Sequence, residues 1–127
     1  MKVQLQGQSL RLRIGEDELA SLLAGERVDN VTGAGAGAVL RQGLAMVQGD
    51  APTFAADGDG WRFGLPEAAV RDYVARLPCR DALEFTFEGG DAPLALSFEV
   101  DVRDSVRRRG APARRRPPDP TRGPAPL

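Results

Sequence analysis

A period-2 run, a turn, a second period-2 run and a short amphipathic stretch occur in that order twice in this 127-residue chain, fifty-one residues apart. In the first occurrence Val3 and Leu5 alternate with Lys2, Gln4 and Gln6. Beyond Gly7-Gln8-Ser9, Leu10, Leu12 and Ile14 alternate with Arg11 and Arg13. Successive strand side chains point to opposite faces, so each run reads as a half-buried strand and the pair as a hairpin. Gly15-Glu16-Asp17-Glu18 then places three carboxylates where a helix dipole favours negative charge. Leu19, Leu22 and Leu23 make an apolar stripe, and Gly25 stands where the helix should stop. In the second occurrence Phe54 and Ala56 replace Val3 and Leu5, Gly58 replaces Gly7, and Trp61, Phe63 and Leu65 replace Leu10, Leu12 and Ile14. Pro66 suits a first helical position, Glu67 matches Glu16, and Val70, Tyr73 and Val74 match Leu19, Leu22 and Leu23 before Leu77-Pro78 ends the segment.

A further pair of strands follows each helix. It is clearest late in the chain, where Leu83, Phe85 and Phe87 alternate with Glu84, Thr86 and Glu88, a turn spans Gly89 to Pro93, and Leu94, Leu96, Phe98, Val100 and Val102 share one face of a partner strand. The earlier counterparts are the weaker Val28 to Thr32 and Leu44 to Val47. The expected fold is therefore α+β: two ββαββ units related by duplication, mainly antiparallel sheet, burying one face beneath two short helices. Local pattern leaves open whether the hairpins interleave in a single sheet or form two layers.

This periodicity ends near residue 106. Residues 1–106 hold ten basic and seventeen acidic side chains, whereas residues 107–127 hold seven arginines, Asp119 and six prolines. The first segment is expected to be an acidic folded domain. The second lacks the apolar surface to offset ordering entropy and is expected to be a disordered or polyproline-like tail. No stretch reaches the length of apolar chain that a spanning helix needs, and the N-terminus alternates where a signal peptide would be uniformly apolar, so a cytoplasmic protein without membrane association is expected.

The opening Gln6-Gly7-Gln8-Ser9-Leu10-Arg11-Leu12-Arg13-Ile14, with its acidic helix start, resembles a family of small bacterial proteins of unknown function. Members open with a hairpin of the type (G/N)-N-S-(L/V/I)-R-L-R-L and carry a strand-then-helix segment like Trp61 to Leu77. The resemblance covers roughly residues 1 to 105, with Gln8 in place of the usual asparagine and without the family's lysine and cysteine in the strand Leu94 to Val102. It implies a bacterial origin and brings no activity.

The residue inventory removes most chemistries. There is no histidine to act as a general base or metal ligand, and the lone Cys79 can neither form an internal disulfide nor build a thiolate metal site. Gly33-Ala34-Gly35-Ala36-Gly37-Ala38 contains a G-x-G-x-x-A pattern. The strand before it, Val28-Asp29-Asn30-Val31, is short and polar, and Gly43 interrupts any helix after it, so the context a dinucleotide site requires is missing; it reads as an inter-strand loop, and no cofactor is expected. Pairing of the last two strands would bring Glu84 close to Glu99, with Asp101 adjacent. Three devices could offset that repulsion: a divalent cation, a raised carboxyl pKa serving acid-base work, or arginines from a neighbouring strand, and the outward-facing Arg11 and Arg13 favour the last. Lys2, Arg11, Arg13 and Arg62 could together offer an anion surface, while Trp61 and Tyr73 fall on apolar stripes and read as core. In the tail, Arg107, Arg108, Arg109, Arg114, Arg115 and Arg116 form two triplets. They could neutralise nucleic-acid phosphates, enter a partner's groove, or fold back on the acidic body. The inventory points to a non-enzymatic binding or assembly module with a protein partner or self-association. The alternatives are a nucleic-acid-associated protein using the tail, and a metal-binding or hydrolytic protein using Glu84, Glu99 and Asp101.

Overall fold

The computed structural model describes residues 1–58 and 60–102. The chain order is β1 (Lys2–Gln6), β2 (Ser9–Ile14), α1 (Glu16–Leu23), β3 (Val28–Gly35), β4 (Ala38–Val47), β5 (Thr53–Asp57), β6 (Gly60–Pro66), α2 (Glu67–Ala75), β7 (Leu83–Phe87) and β8 (Leu94–Val100). Both ββαββ units are present, and their helices begin at Glu16 and Glu67, the positions the repeat relates.

Each helix end has a local cause. Gly15 donates its N–H to the Glu18 carboxylate at 3.0 Å, which occupies an amide that α1 cannot satisfy internally. At the other end Gly25 takes a φ of +89°, its N–H reaches the Leu22 carbonyl, and Glu26 N–H reaches the Ser21 carbonyl, closing the helix with a left-handed glycine. In α2 the Glu67–Arg71 pair at 2.8 Å bridges one turn. Pro66 ends β6 one residue ahead of its expected helical position.

The hairpins do not stay with their own units. One sheet has the order β1-β2-β8-β7 and the other β3-β4-β6-β5, so each combines a hairpin from the first unit with one from the second. At the centre of each lies a parallel pair, β2 beside β8 with Leu12 opposite Phe98, and β4 beside β6 with Leu44 opposite Phe63; the flanking pairs are antiparallel. Two separate sheets form and not a single one, with the hairpins of the two units exchanged between them. An approximate two-fold relation carries β1-β2-β8-β7 onto β5-β6-β4-β3.

Inward-facing residues of both sheets and both helices form one core, including Leu12, Ile14, Leu22, Leu44, Leu65, Val70, Leu96 and Phe98, all nearly inaccessible to water. Tyr73 lies on Phe98 with ring centroids 6.0 Å apart. Burial pushes its phenol pKa up, and a hydrogen bond with the Val100 backbone opposes this.

One expectation is corrected. The strands flanking the glycine-alanine stretch were expected to be short, Val28 to Thr32 and Leu44 to Val47, but β3 and β4 run toward each other until only Ala36 and Gly37 remain as a turn. Their φ values of 52° and 78° are those of a two-residue turn whose twist matches the strands it joins. The G-x-G-x-x-A pattern is thus a hairpin tip, with no helix after it to bind a phosphate.

Candidate functional surfaces

The outer face of the first sheet carries the acidic residues of interest. Parallel register sets Arg13 beside Glu99, where Arg13 Nη2 lies 3.0 Å and Arg11 Nε 3.6 Å from the Glu99 carboxylate. Both arginines project from β2 because Leu10, Leu12 and Ile14 take its inward positions. Glu84 shares that face but stands opposite Ser97, since the turn pairs Phe87 with Leu94; it is diagonal to Glu99, not across from it. Asp101 follows the end of β8, where its backbone N–H bonds the Ile14 carbonyl at 2.8 Å. Among the described residues no group of three or more aspartate, glutamate, cysteine or histidine side chains is arranged to hold a metal ion.

Of the four outward basic residues, Lys2, Arg11 and Arg13 share the first sheet, but Arg62 belongs to the second and pairs with Asp57 at 2.6 Å. They do not form one surface. Arg62 instead lines a cleft of about 320 Å³ with Arg27 and Arg41 above Gly43, where Asp29 also pairs with Arg27 at 2.9 Å. A side chain at Gly43 would strike Asp29 and Arg27, so the missing Cβ lets that pair lie flat on the sheet. Cys79 is exposed, and its Sγ lies 3.5 Å from the Asp81 carbonyl oxygen. Trp61 and Tyr73 both belong to the core or its margin. The arginines Arg107, Arg108, Arg109, Arg114, Arg115 and Arg116 lie outside the described residues.

Two surfaces emerge that single residues in the sequence do not announce. One is the arm formed by the far ends of β3 and β4. Because β4 meets β6 only from Gln42 onward, residues 31–41 project as a two-stranded ribbon. Every residue from 31 to 40 is exposed and none is charged; Val31, Val39 and Leu40 are 51%, 58% and 55% accessible. Its signal in the sequence is the uncharged run Asn30 to Leu40.

The other is an aromatic groove where the two sheets meet at one edge. Phe54 of β5 stands 6.0 Å from Phe87 of β7 with ring planes at 51°, 5.1 Å from Phe63, and 6.0 Å from the half-buried Trp61. Of these rings Phe54 and Phe87, with Glu88, Ala92 and Leu94, bound a cavity of about 460 Å³.

Compared with known protein families, curated proteins and solved structures, the chain matches none. Among the described residues no helix is long and apolar enough to cross a membrane.

Proposed function

We propose that the protein is a non-enzymatic binding and assembly module whose β3–β4 arm accepts a strand from a protein partner, a second copy of the chain being the first candidate. The reading rests on one observation: an exposed ribbon, uncharged from residue 31 to 40, with open backbone on both sides. Sheets commonly guard exposed edges with lysine, proline or bulges, because unpaired N–H and C=O groups recruit other strands. Here the guard is a single irregularity between Gly33 and Gly35. Two such arms laid antiparallel would oppose no like charges, which favours self-association. A cytoplasmic site of action and membership of the bacterial family resembled above belong to the same proposal.

Light scattering on the full chain across concentration and salt tests it. The wild type is expected to rise above the 13.6 kDa of a single chain with little salt dependence, and a Val39→Lys/Leu40→Lys variant to remain a monomer. Identical behaviour of the two proteins would remove the arm from the account. Association that disappears with salt in both would favour the charged tail and, with nucleic acid added, the nucleic-acid alternative. Stabilisation by a divalent cation would favour the alternative at Glu84, Glu99 and Asp101.

A further inference from the structure

We propose that the groove between β5 and the β7–β8 hairpin is a docking site for the chain's own segment Arg114-Arg115-Arg116-Pro117-Pro118-Asp119-Pro120. The groove has the chemistry that proline-rich segments seek. Its floor is the tilted pair Phe54 and Phe87, and Phe54 remains 42% accessible, which leaves a broad aromatic face open to water. Its far wall is unobstructed: a Cβ added at Gly89 would meet nothing within 4 Å, and one at Gly90 only the Ala92 carbonyl at 3.9 Å. Aromatic slots of this kind take polyproline helices because that conformation is extended, already narrow in its entropy, and presents a proline ring to each gap between rings.

The segment matches the slot in spacing and in charge. A polyproline helix has three residues per turn, so Arg114, Pro117 and Pro120 would share one edge while Pro118 supplies a ring beside them. Glu88 lines the groove, and Asp91 sits in the same exposed turn, so the arginine triplet would meet two carboxylates where the prolines end. The arm of a second copy is uncharged and would leave both carboxylates without partners, which argues against it as the occupant.

Reach is sufficient. The groove lies at the Leu94 end of β8, and the last described residue, Val102, lies past the other end. Returning along the strand requires about 25 Å at roughly 3.3 Å per residue. The eleven residues 103–113 span up to about 36 Å when extended.

The chain's single tryptophan reports on the site, because Trp61 packs edge-on against Phe54. Acrylamide quenching of Trp61 would be compared in the full-length wild type and a full-length Pro117→Ala/Pro120→Ala variant. The variant is expected to be quenched more strongly, and a synthetic peptide of residues 111–122 added in excess should restore protection in a saturable way. A Phe54→Ala variant should lose the response to the peptide while keeping its circular dichroism. Equal quenching of wild type and proline variant would overturn the proposal. A response to a peptide with the same arginines but no prolines would also overturn it, by showing charge attraction alone. Protection that grows with chain concentration would place the segment in the groove of a second copy and overturn the intramolecular form stated here.

Discussion

In the first repeat the closing hairpin, β3–β4, extends past its sheet and is uncharged and apolar at its tip. In the second repeat the equivalent hairpin, β7–β8, is shorter and carries Glu84, Glu88, Asp91 and Glu99. The two sheets diverge in the same way at their parallel centres. Arg13 stands beside Glu99 on the outer face of one, whereas Gly64 stands beside Ala45 on the other, close against Thr53 and Val47. Inward, the two halves agree: Leu12 with Phe98 corresponds to Phe63 with Leu44, and all four are buried. A shared core allows little change in volume at equivalent sites, while an outer face can exchange an ion pair for small side chains at little cost in stability. Both surfaces proposed for docking, the β3–β4 arm and the groove at Phe54 and Phe87, lie where the repeats differ.

The sharpest way to break the comparison is to separate the repeats. Each unit places its two hairpins in different sheets, so neither can bury its apolar faces alone. A chain cut after Gly49 should give two fragments that are unfolded by circular dichroism when separate and that recover strand and helix signal when mixed. A first fragment that folds unaided would mean that the interleaving is not what holds the halves together.

That interleaving was also the part of the fold least legible in the sequence. Alternation at Leu10, Leu12 and Ile14, and again at Leu94 to Val100, follows from local burial and marked the strands closely. The pairing of β2 with β8 joins residues more than eighty positions apart, and nothing local to either strand encodes it. Gly33 to Ala38 read as a loop because glycine and alanine have weak strand propensity, yet the ladder between β3 and β4 carries the chain through them. At the acidic face, the arginine partners of Glu99 could be anticipated from their outward positions on β2. The offset of Glu84 could not, because it depends on how the Gly89–Pro93 turn closes. The aromatic groove needs Phe54 and Phe87 from different sheets, so it becomes visible only once the topology is known.

A second test compares equivalent positions at the start of the second strand in each repeat. Gly60 occupies the place of Ser9, but its φ is +129° and a Cβ there would lie 2.2 Å from the Arg41 carbonyl oxygen. Ser9 has ordinary backbone, since among the described residues Ala36 alone takes a positive φ without being glycine. Gly60→Ala should lower stability in urea by about 2 to 3 kcal/mol, combining backbone strain with a backbone clash, while Ser9→Ala should change it by less than about 0.5 kcal/mol. Similar losses at the two sites would mean that the strand entries are equivalent after all.

A smaller effect is expected at Glu99, whose counterpart is Ala45. Glu99→Gln weakens pairing with two arginines that are each about half exposed, so the loss should stay below about 1 kcal/mol. Added Mg2+ or Ca2+ should leave the melting temperature of wild type and variant alike unchanged. A cation-dependent rise in the wild type alone would make this face a metal site and the contrast between the sheets one of function.

The smallest effect separates the two helix starts by pH. Burial acts to raise the Glu18 pKa, but hydrogen bonds from the Met1 ammonium and the Gly15 N–H, with the charge of that ammonium, lower it overall from 4.5. Its counterpart in α2 is Ala69; there the neighbouring Glu67 is held down instead by hydrogen bonds from Arg71 and Gln48. A carboxylate with a depressed folded-state pKa contributes stability that is fully present above the unfolded value and is lost as pH falls through the folded one. Both contributions should therefore be intact at neutral pH and fade below about pH 4.5. Glu18→Gln should cost a fraction of a kcal/mol at pH 7, because about a third of the side chain is in water, and nothing at the acid end of the titration. The variant's stability curve should therefore converge on that of the wild type as pH falls. A constant gap between the curves would assign the loss to the packing of the Glu18 side chain and not to its charge, and would remove the electrostatic difference between the two helix starts.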